Sequence, residues 1–410
     1  MLDIKFIREN PELVKESLKK RGGDISIVDK ILKIDSERRE ILKETEDMRH
    51  SQKNLNKEKA EEARDLKNKI KKREAILPKL EKELEESISD VPNILFDDVP
   101  VGKNENDNVV LKEEGKKPKF DFEPKDYLEI AEKLDIIDVS MAAKASGSRF
   151  GYLKKDAVFL EFALIKLAFD TILSEGFVPI IPPVMIKPEV YAGMGRLSVS
   201  QKEDRYFLEK DNLYLIGSAE HTLGPLHLND VLDEKELPKR YLGFSTCFRR
   251  EAGSYGKDTR GILRVHQFDK VEMFSFVKSE NSEEEHRKLL SLQEKIVQAL
   301  ELPYRIVSIC TGDMGFTDAR QYDIETWFPS QNKYRETHSC SNTTDFQTRG
   351  INAKYRRNSD GKTEYLYALN ATAVAIGRTI IAIIENYQQK DGTIKIPEVL
   401  QKYLGKDIIS

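Results

Sequence analysis

Two arginines and a glutamate end the run Phe244-Ser245-Thr246-Cys247-Phe248-Arg249-Arg250-Glu251. A second charged run, Arg264-Val265-His266-Gln267-Phe268-Asp269-Lys270-Val271-Glu272, follows a loop bearing Gly253, Gly256 and Gly261. The pattern reads as strand (241–251), loop, strand (262–277). Side chains alternate across a strand, so Arg249 and Glu251 share one face of the first. On the return strand Arg264, His266, Phe268, Lys270 and Glu272 share a face, with Val265, Val271 and Met273 on the core side. An arginine fork suits phosphate or carboxylate, a ring can stack on a base, and carboxylates can read amino groups. The same residues would equally make a salt-bridged polar sheet surface. The loop, ten residues from Ala252 to Gly261, favours binding, because a plain hairpin needs only about two to five.

Other chemistries lack their residues. There is no GxxxxGK[ST] loop, no GxGxxG between strand and helix, no GxSxG and no HExxH, so neither a P-loop nor a Rossmann nucleotide site is supported. Cys247, Cys310 and Cys340 form no CxxC pair and no even disulfide framework, so a reducing cytoplasm is expected and zinc is not. No apolar run reaches the roughly 20 residues of a membrane span. Met1-Leu2-Asp3-Ile4-Lys5 resembles neither a signal nor a transit peptide, so no membrane partner is expected.

The elements that must position these residues follow from 410 residues of which 39% are hydrophobic and 34% charged, enough for two or three domains. Asn10-Pro11 should start a short helix. Apolar positions then step by four and three through Ile27, Ile31, Ile34, Ile41, Met48 and Leu55, and again through Leu66, Ile70, Leu77, Leu80 and Leu84. Two such seams predict an antiparallel two-helix coiled coil over about 27–89, its first helix about 42 Å long. Pro78 should kink the second helix. The net charge is −4, yet Lys53–Arg73 holds nine basic residues against four acidic, a local +5. Such a patch gathers nucleic-acid phosphates, or is simply a solvated face. Residues 91–125, rich in Pro and Gly, read as a linker or irregular strand. An almost wholly apolar helix over 157–174 should be buried in a core or a subunit interface. Ser282 with Glu285 reads as a capping box. Short β-like runs at 213–217, 304–310, 321–328 and 364–369 lack a βαβ rhythm, so the fold class is α+β, an antiparallel sheet with flanking helices.

The stretch from Phe248 to Glu272 closely resembles motif 2 of seryl-tRNA synthetases. Leu215-Ile216-Gly217-Ser218-Ala219-Glu220 resembles the family's serine loop. Glu336-Thr337-His338-Ser339-Cys340-Ser341-Asn342 is similar to its metal and ATP segment. Asn370-Ala371-Thr372 through Arg378, with Glu385-Asn386-Tyr387-Gln388, resembles motif 3. The opening, Leu2 to Pro11, also matches, so the likeness spans nearly the whole chain. It implies a class II synthetase: residues 1–100 an N-terminal tRNA-binding domain with the coiled-coil arm, 101–410 a catalytic domain with motifs 1, 2 and 3, and a homodimer. It implies ATP as substrate, Mg²⁺, L-serine and tRNA(Ser), and leaves open whether tRNA(Sec) is charged too.

Residue by residue, the resemblance gives Arg249 the α-phosphate and serine carboxylate, and Arg378 the γ-phosphate side, as catalytic groups. Serine would be bound by Ser218, Ala219, Glu220, Arg249, Glu272, Asn370 and Thr372. Glu272 and Thr372 would read its hydroxyl, Ser218 and Glu220 its amine. ATP would meet Arg249, Arg250, Glu251, Arg264, Phe268, Glu336, Thr337, His338, Ser339 and Arg378, with Glu251 on the adenine amino group and Phe268 against the ring. Glu336 and Ser339 look like Mg²⁺ ligands, and Lys53, Lys57, Arg64, Lys67 and Lys71 would meet tRNA. Three positions depart from the commoner pattern. Ser218 stands for threonine, His338 is unusual in its segment, and Ala371-Thr372 replaces Gly-Ser, which should bring a methyl to the pocket. Two other readings share the fold: an enzyme delivering a small amino acid to a carrier protein, and a non-catalytic tRNA-binding paralogue. The arm argues against the first. Intact Arg249, Glu251, Glu272, Glu336 and Arg378 argue against the second, since buried charge is costly without use.

Overall fold

A computed structural model describes residues 1–55, 59–252 and 260–410. Lys57 and most of the loop with Gly253 and Gly256 lie outside the described residues. The chain forms two compact units, Met1–Ile94 and Leu95–Ser410.

In the first unit, helices α1 (Ile4–Glu9), α2 (Pro11–Lys20), α3 (Ser26–Lys53), α4 (Ala60–Glu74) and α5 (Leu77–Ser89) follow in order. Ile31, Ile34 and Ile41 of α3 meet Leu80, Leu84 and Ile88 of α5 in one buried cluster, which is the expected seam. Ion pairs keep the antiparallel register: Arg49 with Glu74 at 2.5 Å, Glu44 with Arg73 at 3.0 Å, and Lys30 with Glu83 at 3.7 Å. All are exposed, so the aliphatic seam supplies most of the stability. Asp35 is wholly buried and is held by Arg8 at 2.9 Å and Arg39 at 3.1 Å, tying α1 to α3. Pro78 does not kink one long helix. It is the second residue of a new one, where its missing N–H breaks no hydrogen bond, and the expected second helix is divided in two.

The second unit is built on an eight-stranded sheet. Its strands are β1 (Val109–Glu114), β2 (Val178–Ile180), β3 (Lys239–Phe248), β4 (Gln267–Val277), β5 (Tyr304–Ser308), β6 (Arg320–Phe328), β7 (Lys333–Asn342) and β8 (Tyr367–Ala375). Their order is β1-β5-β6-β7-β8-β4-β3-β2, antiparallel throughout except for the β2–β3 edge pair. Helices α6 (Asp156–Ile172), α7 (Ser282–Ala299) and α8 (Ile376–Asn386) cover one face. Val271, Met273, Cys340, Ala371 and Ile324 point into that core with Leu164, Ile296 and Ile380. On β4 the opposite face carries Glu272, then Phe274 and Phe276, which enter a second cluster with Met194 and Leu223.

Three local expectations are corrected. The first strand ends at Phe248, and Glu251 turns the chain with φ +53°, so it is not on the strand face. The return strand begins at Gln267, not 262. Gly261, at φ +73°, passes so close to Tyr127 that a Cβ would lie 1.7 Å from its hydroxyl, which accepts from the Ile262 N–H at 2.7 Å. Arg264 therefore sits in an irregular segment. No capping box forms at Ser282: the N-cap is Asn281, and Glu285 pairs with Arg240 at 2.6 Å. The buried Glu285 carboxylate needs that guanidinium more than a solvated helix end needs the carboxylate.

Two β-bulges interrupt the centre of the sheet. Val271 pairs with Val374 but Glu272 with Thr372, leaving Ala373 extra; Ile324 pairs with His338 but Glu325 with Glu336, leaving Thr337 extra. Among the described residues no helix is long and apolar enough to cross a membrane.

His286 on α7 is fully buried, its Nε2 3.0 Å from the Cys340 carbonyl. Burial lowers its pKa to about 4, against smaller opposing effects of that carbonyl, Asp318 and Asp98. The unfolded chain takes up this proton near pH 6.5 and the folded one does not, so stability should fall as pH drops from 6.5 towards 4, by up to roughly 3 kcal/mol. His286→Gln, which keeps a donor for the carbonyl, should flatten this part of a Tm-against-pH curve. Parallel curves for parent and variant would contradict the assignment.

Candidate active site

One cavity on the free face of the sheet gathers residues from four strands, a loop and a helix. Its lining includes Arg249, Glu251, Arg264, Phe268, Lys270, Glu336, Thr337, Ser339, Thr372 and Arg378. The bulges explain why the alternation rule alone does not produce this set. A bulge places two successive residues on nearly one side of the strand, so Glu336 and Thr337 both reach the cavity and Ser339 follows in phase.

Arg249 extends just past the end of β3. Its Nε donates to the Gly217 carbonyl at 3.1 Å and its guanidinium lies 5.2 Å from the Phe268 ring centroid. That bond leaves the outer nitrogens of the fork for a ligand. A Cβ on Gly217 would lie 3.3 Å from Arg205 Nη1 and 3.5 Å from Arg249 Nε, so the loop runs in close contact with both side chains. Its N–H donates to His221 Nδ1 at 3.1 Å, 2.9 Å from the Tyr191 hydroxyl. His221 is buried among Arg205, Arg196, Arg249 and Lys270, and burial first, then those cations, holds it well below its ordinary pKa. It is a neutral hinge for the serine-like loop.

Ser218, Ala219 and Glu220 are buried beside it. Burial would raise the Glu220 pKa, but Arg196, Gln347 and Lys270 together outweigh it and keep the carboxyl ionised. Its Oε1 accepts from Arg196 Nη2 at 2.6 Å and from Gln347 Nε2 at 2.7 Å.

The floor is polar and buried. Lys270 and Glu272 pair through Nζ and Oε2. Burial still raises Glu272 above its ordinary pKa, with Lys270 opposing. Thr372 Oγ1 lies 3.5 Å from Glu272 Oε2 and 3.4 Å from Ser339 Oγ, a relay of hydroxyls on a carboxylate. The Ala371 methyl faces the helical core; of the expected extra methyls, only that of Thr372 belongs to a cavity-lining residue.

The far wall holds Arg378, whose Nη1 meets Glu336 Oε2 at 3.0 Å. Arg378 above all holds Glu336 below the usual carboxylate range. Asp323, beside Ser339 in register, is pushed well above that range by burial and then by Glu336. A Glu336 carboxylate and a Ser339 hydroxyl in one cavity are hard oxygen ligands of the kind Mg²⁺ takes together with substrate phosphates. No group of three or more His, Cys, Asp or Glu able to hold a metal occurs among the described residues, so protein carboxylates and imidazoles alone would not complete a site.

Seven expected residues do not line the cavity: the buried Ser218, Ala219, Glu220 and Glu272, and Arg250, His338 and Asn370. The Arg250 guanidinium lies over Tyr206 at 5.8 Å, His338 is buried with Nδ1 2.8 Å from Thr337 Oγ1, and Asn370 is buried in β8. Arg196, Arg205 and Gln347 were not foreseen. Each lies outside the motifs, and only the fold brings it to the loop 217–220.

Residues 205–387 match the family model of the tRNA synthetase class II core domain (G, H, P, S and T), and residues 1–95 that of the seryl-tRNA synthetase N-terminal domain. The serine–tRNA ligase of Dictyoglomus thermophilum is 46% identical over 421 aligned positions, covering 99% of this chain and 98% of its own. Among solved structures, the seryl-tRNA synthetase of Pyrococcus horikoshii complexed with ATP superposes with a TM-score of 0.95 at 43% identity, over 100% of this chain and 99% of that one. The cytoplasmic enzyme of Naegleria fowleri in complex with AMP does so at 0.91 and 33%, with the same coverage.

Proposed function

The chain belongs to the seryl-tRNA synthetase family, and from that premise we propose how its own residues divide the work. It is an ATP-dependent ligase joining serine to tRNA. In the first step a serine carboxylate oxygen attacks the α-phosphorus of ATP and pyrophosphate leaves. In the second a terminal ribose hydroxyl of tRNA(Ser) attacks the acyl carbon and AMP leaves. The observation that carries this division is the cavity lined by Arg249, braced on Gly217, by the Arg378–Glu336 pair and by Thr372 and Ser339, with the buried Glu272 behind Thr372.

Arg249 binds the serine carboxylate and the α-phosphate, and holds them as charge spreads over the phosphoryl oxygens. Arg378 takes the γ-phosphate side. Phe268 gives the adenine a face, and Glu251 accepts from its amino group. Ser218 and Glu220 hold the amine, while Glu272 and Thr372 read the hydroxyl. Glu336 and Ser339 would hold Mg²⁺, which when bound supplies charge neutralisation at the phosphates. Arg250, Thr337, His338, Arg264 and Asn370 support this set from the loop and the strands. Three buried free thiols suit a reducing cytoplasm.

Arg249→Ala should cut serine-dependent ATP–pyrophosphate exchange at least about 100-fold, because it removes an interaction with charge developing in the transition state. Alanine should be rejected by up to ~10⁴-fold, since it leaves Glu272 and Thr372 unpaired. Threonine should be excluded less firmly, one methyl being worth about 1–3 kcal/mol. Exchange within tenfold of the parent in the variant, or equal use of alanine, would remove the reading.

On α4 the exposed Arg64, Lys67 and Lys71 fall at steps of three and four beside the packed stripe of Leu66 and Ile70, and Lys53 ends α3. These residues, with Lys57, meet tRNA backbone in this reading. Neutralising Lys53, Lys67 and Lys71 should leave exchange intact and weaken tRNA binding, lowering the salt slope by about 0.7–0.9 per lost phosphate contact. An unchanged slope would leave the arm without a recognition role.

Phe159 and Phe162 on α6 are 60% and 62% exposed, and Ile181, just past β2, is 82% exposed. Large exposed apolar side chains at a sheet edge and its covering helix suit a two-fold interface, which accounts for the apolar helix. Sedimentation should give a dimer for the parent and a monomer for the double variant Phe162→Glu/Ile181→Glu. A monomeric parent would refute the homodimer.

A further inference from the structure

Beyond the active-site cavity lies a second one of about 530 Å³, separated from it only by Leu263, Arg264, Glu336 and Arg378, which line both. The outer cavity adds Arg305, Lys333 and Arg335 to the two shared arginines. Its acids are Glu105, Glu325 and Glu336. Two of the three are already committed: Glu325 Oε2 to Arg305 Nε at 2.5 Å, and Glu336 to Arg378 at 3.0 Å. The Arg305 guanidinium also lies 5.0 Å from the Tyr334 ring centroid, which fixes its plane. Lys333 and Arg335, two residues apart at the start of β7, both line the cavity. The opposite rim carries Glu105 beside Asn106 and Asn108. Asn108 accepts from the Cys310 N–H at 2.9 Å and donates to Asp313 at 2.8 Å, holding that rim in place.

We infer that this outer cavity receives the departing pyrophosphate, an inorganic polyphosphate anion. The inference rests on the proposed placing of ATP with its γ-phosphate at Arg378. When the serine carboxylate bonds to the α-phosphorus, the bond to the bridging oxygen breaks and its electron pair leaves on pyrophosphate. The product is then more strongly charged than the phosphates it came from, and it lies at the arginines shared by the two cavities. A concave wall with a surplus of one charge concentrates the opposite one. Arg305, Lys333 and Arg335 therefore draw the anion outward, away from the new adenylate, and separate the products without moving the tRNA side of the site.

The test uses the full-length enzyme and inorganic pyrophosphate. In serine-dependent exchange, Lys333→Gln/Arg335→Gln should raise KM for pyrophosphate at least fivefold and leave KM for ATP and serine within twofold. A second variant, Lys333→Glu on an exposed side chain, guards against misfolding of the first. In equilibrium dialysis with pyrophosphate alone it should bind at least fivefold more weakly than the parent. Unchanged pyrophosphate binding in both assays would overturn the inference, as would a parallel rise in KM for ATP, which would make the cavity part of the ATP site. If the parent shows no serine-dependent exchange, the proposed function fails instead, and the dialysis comparison still decides the cavity.

Discussion

Lys270 and Glu272 lie two residues apart on one face of a central strand, both buried, and neither could remain charged there without the other. Taking a charge out of water costs several kcal/mol even after relaxation. The rest of the site extends that bargain outward. Glu220 is ionised because Arg196 and Gln347 close on it, and Glu336 because Arg378 does. His221, with four cations around it, is kept neutral. The charges are thus held apart in fixed pairs around a cavity, with Arg249 tethered by one nitrogen only. Such a site meets an anionic substrate with little reorganisation, which is where most electrostatic catalysis arises.

The sheet makes that arrangement affordable. Helices bury one face completely, so the other can be spent on polar side chains. Phe274 and Phe276 continue the Glu272 face into a separate apolar cluster, which supports the loop 217–220 from below. The buried acids sit over a frame already stabilised by ordinary packing.

Much of this was legible in the residues, for identifiable reasons. The arm could be read because its seam has one period and nothing but itself to pack on; only Pro78, at a helix start, was misjudged. β3, β5 and β6 betray themselves by their aromatic and β-branched residues. β7 does not: Lys333 to Asn342 is polar on both sides because it lies between a reactive cavity and a hydrogen-bonded interior, and only resemblance picked out Glu336 and Ser339. The return strand was drawn five residues too long because Arg264 to His266 continue its alternation while Tyr127 and Arg149 hold that segment off the ladder. Arg196 and Gln347 carry no local signal at all, since their role exists only through a contact distant in sequence.

The two bulges separate regularity from usefulness in a way that bears on how such a gene can vary. Thr337 and Ala373 are each one residue more than the ladder needs. Losing the codon for either would restore unbroken pairing with every other partner kept in register, because the residues flanking the extra one already pair with consecutive partners. At Thr337 the loss would take away a cavity-lining side chain, and at Ala373 a buried methyl. Selection for a tidier sheet and selection for a working enzyme therefore pull in opposite directions at the Thr337 codon.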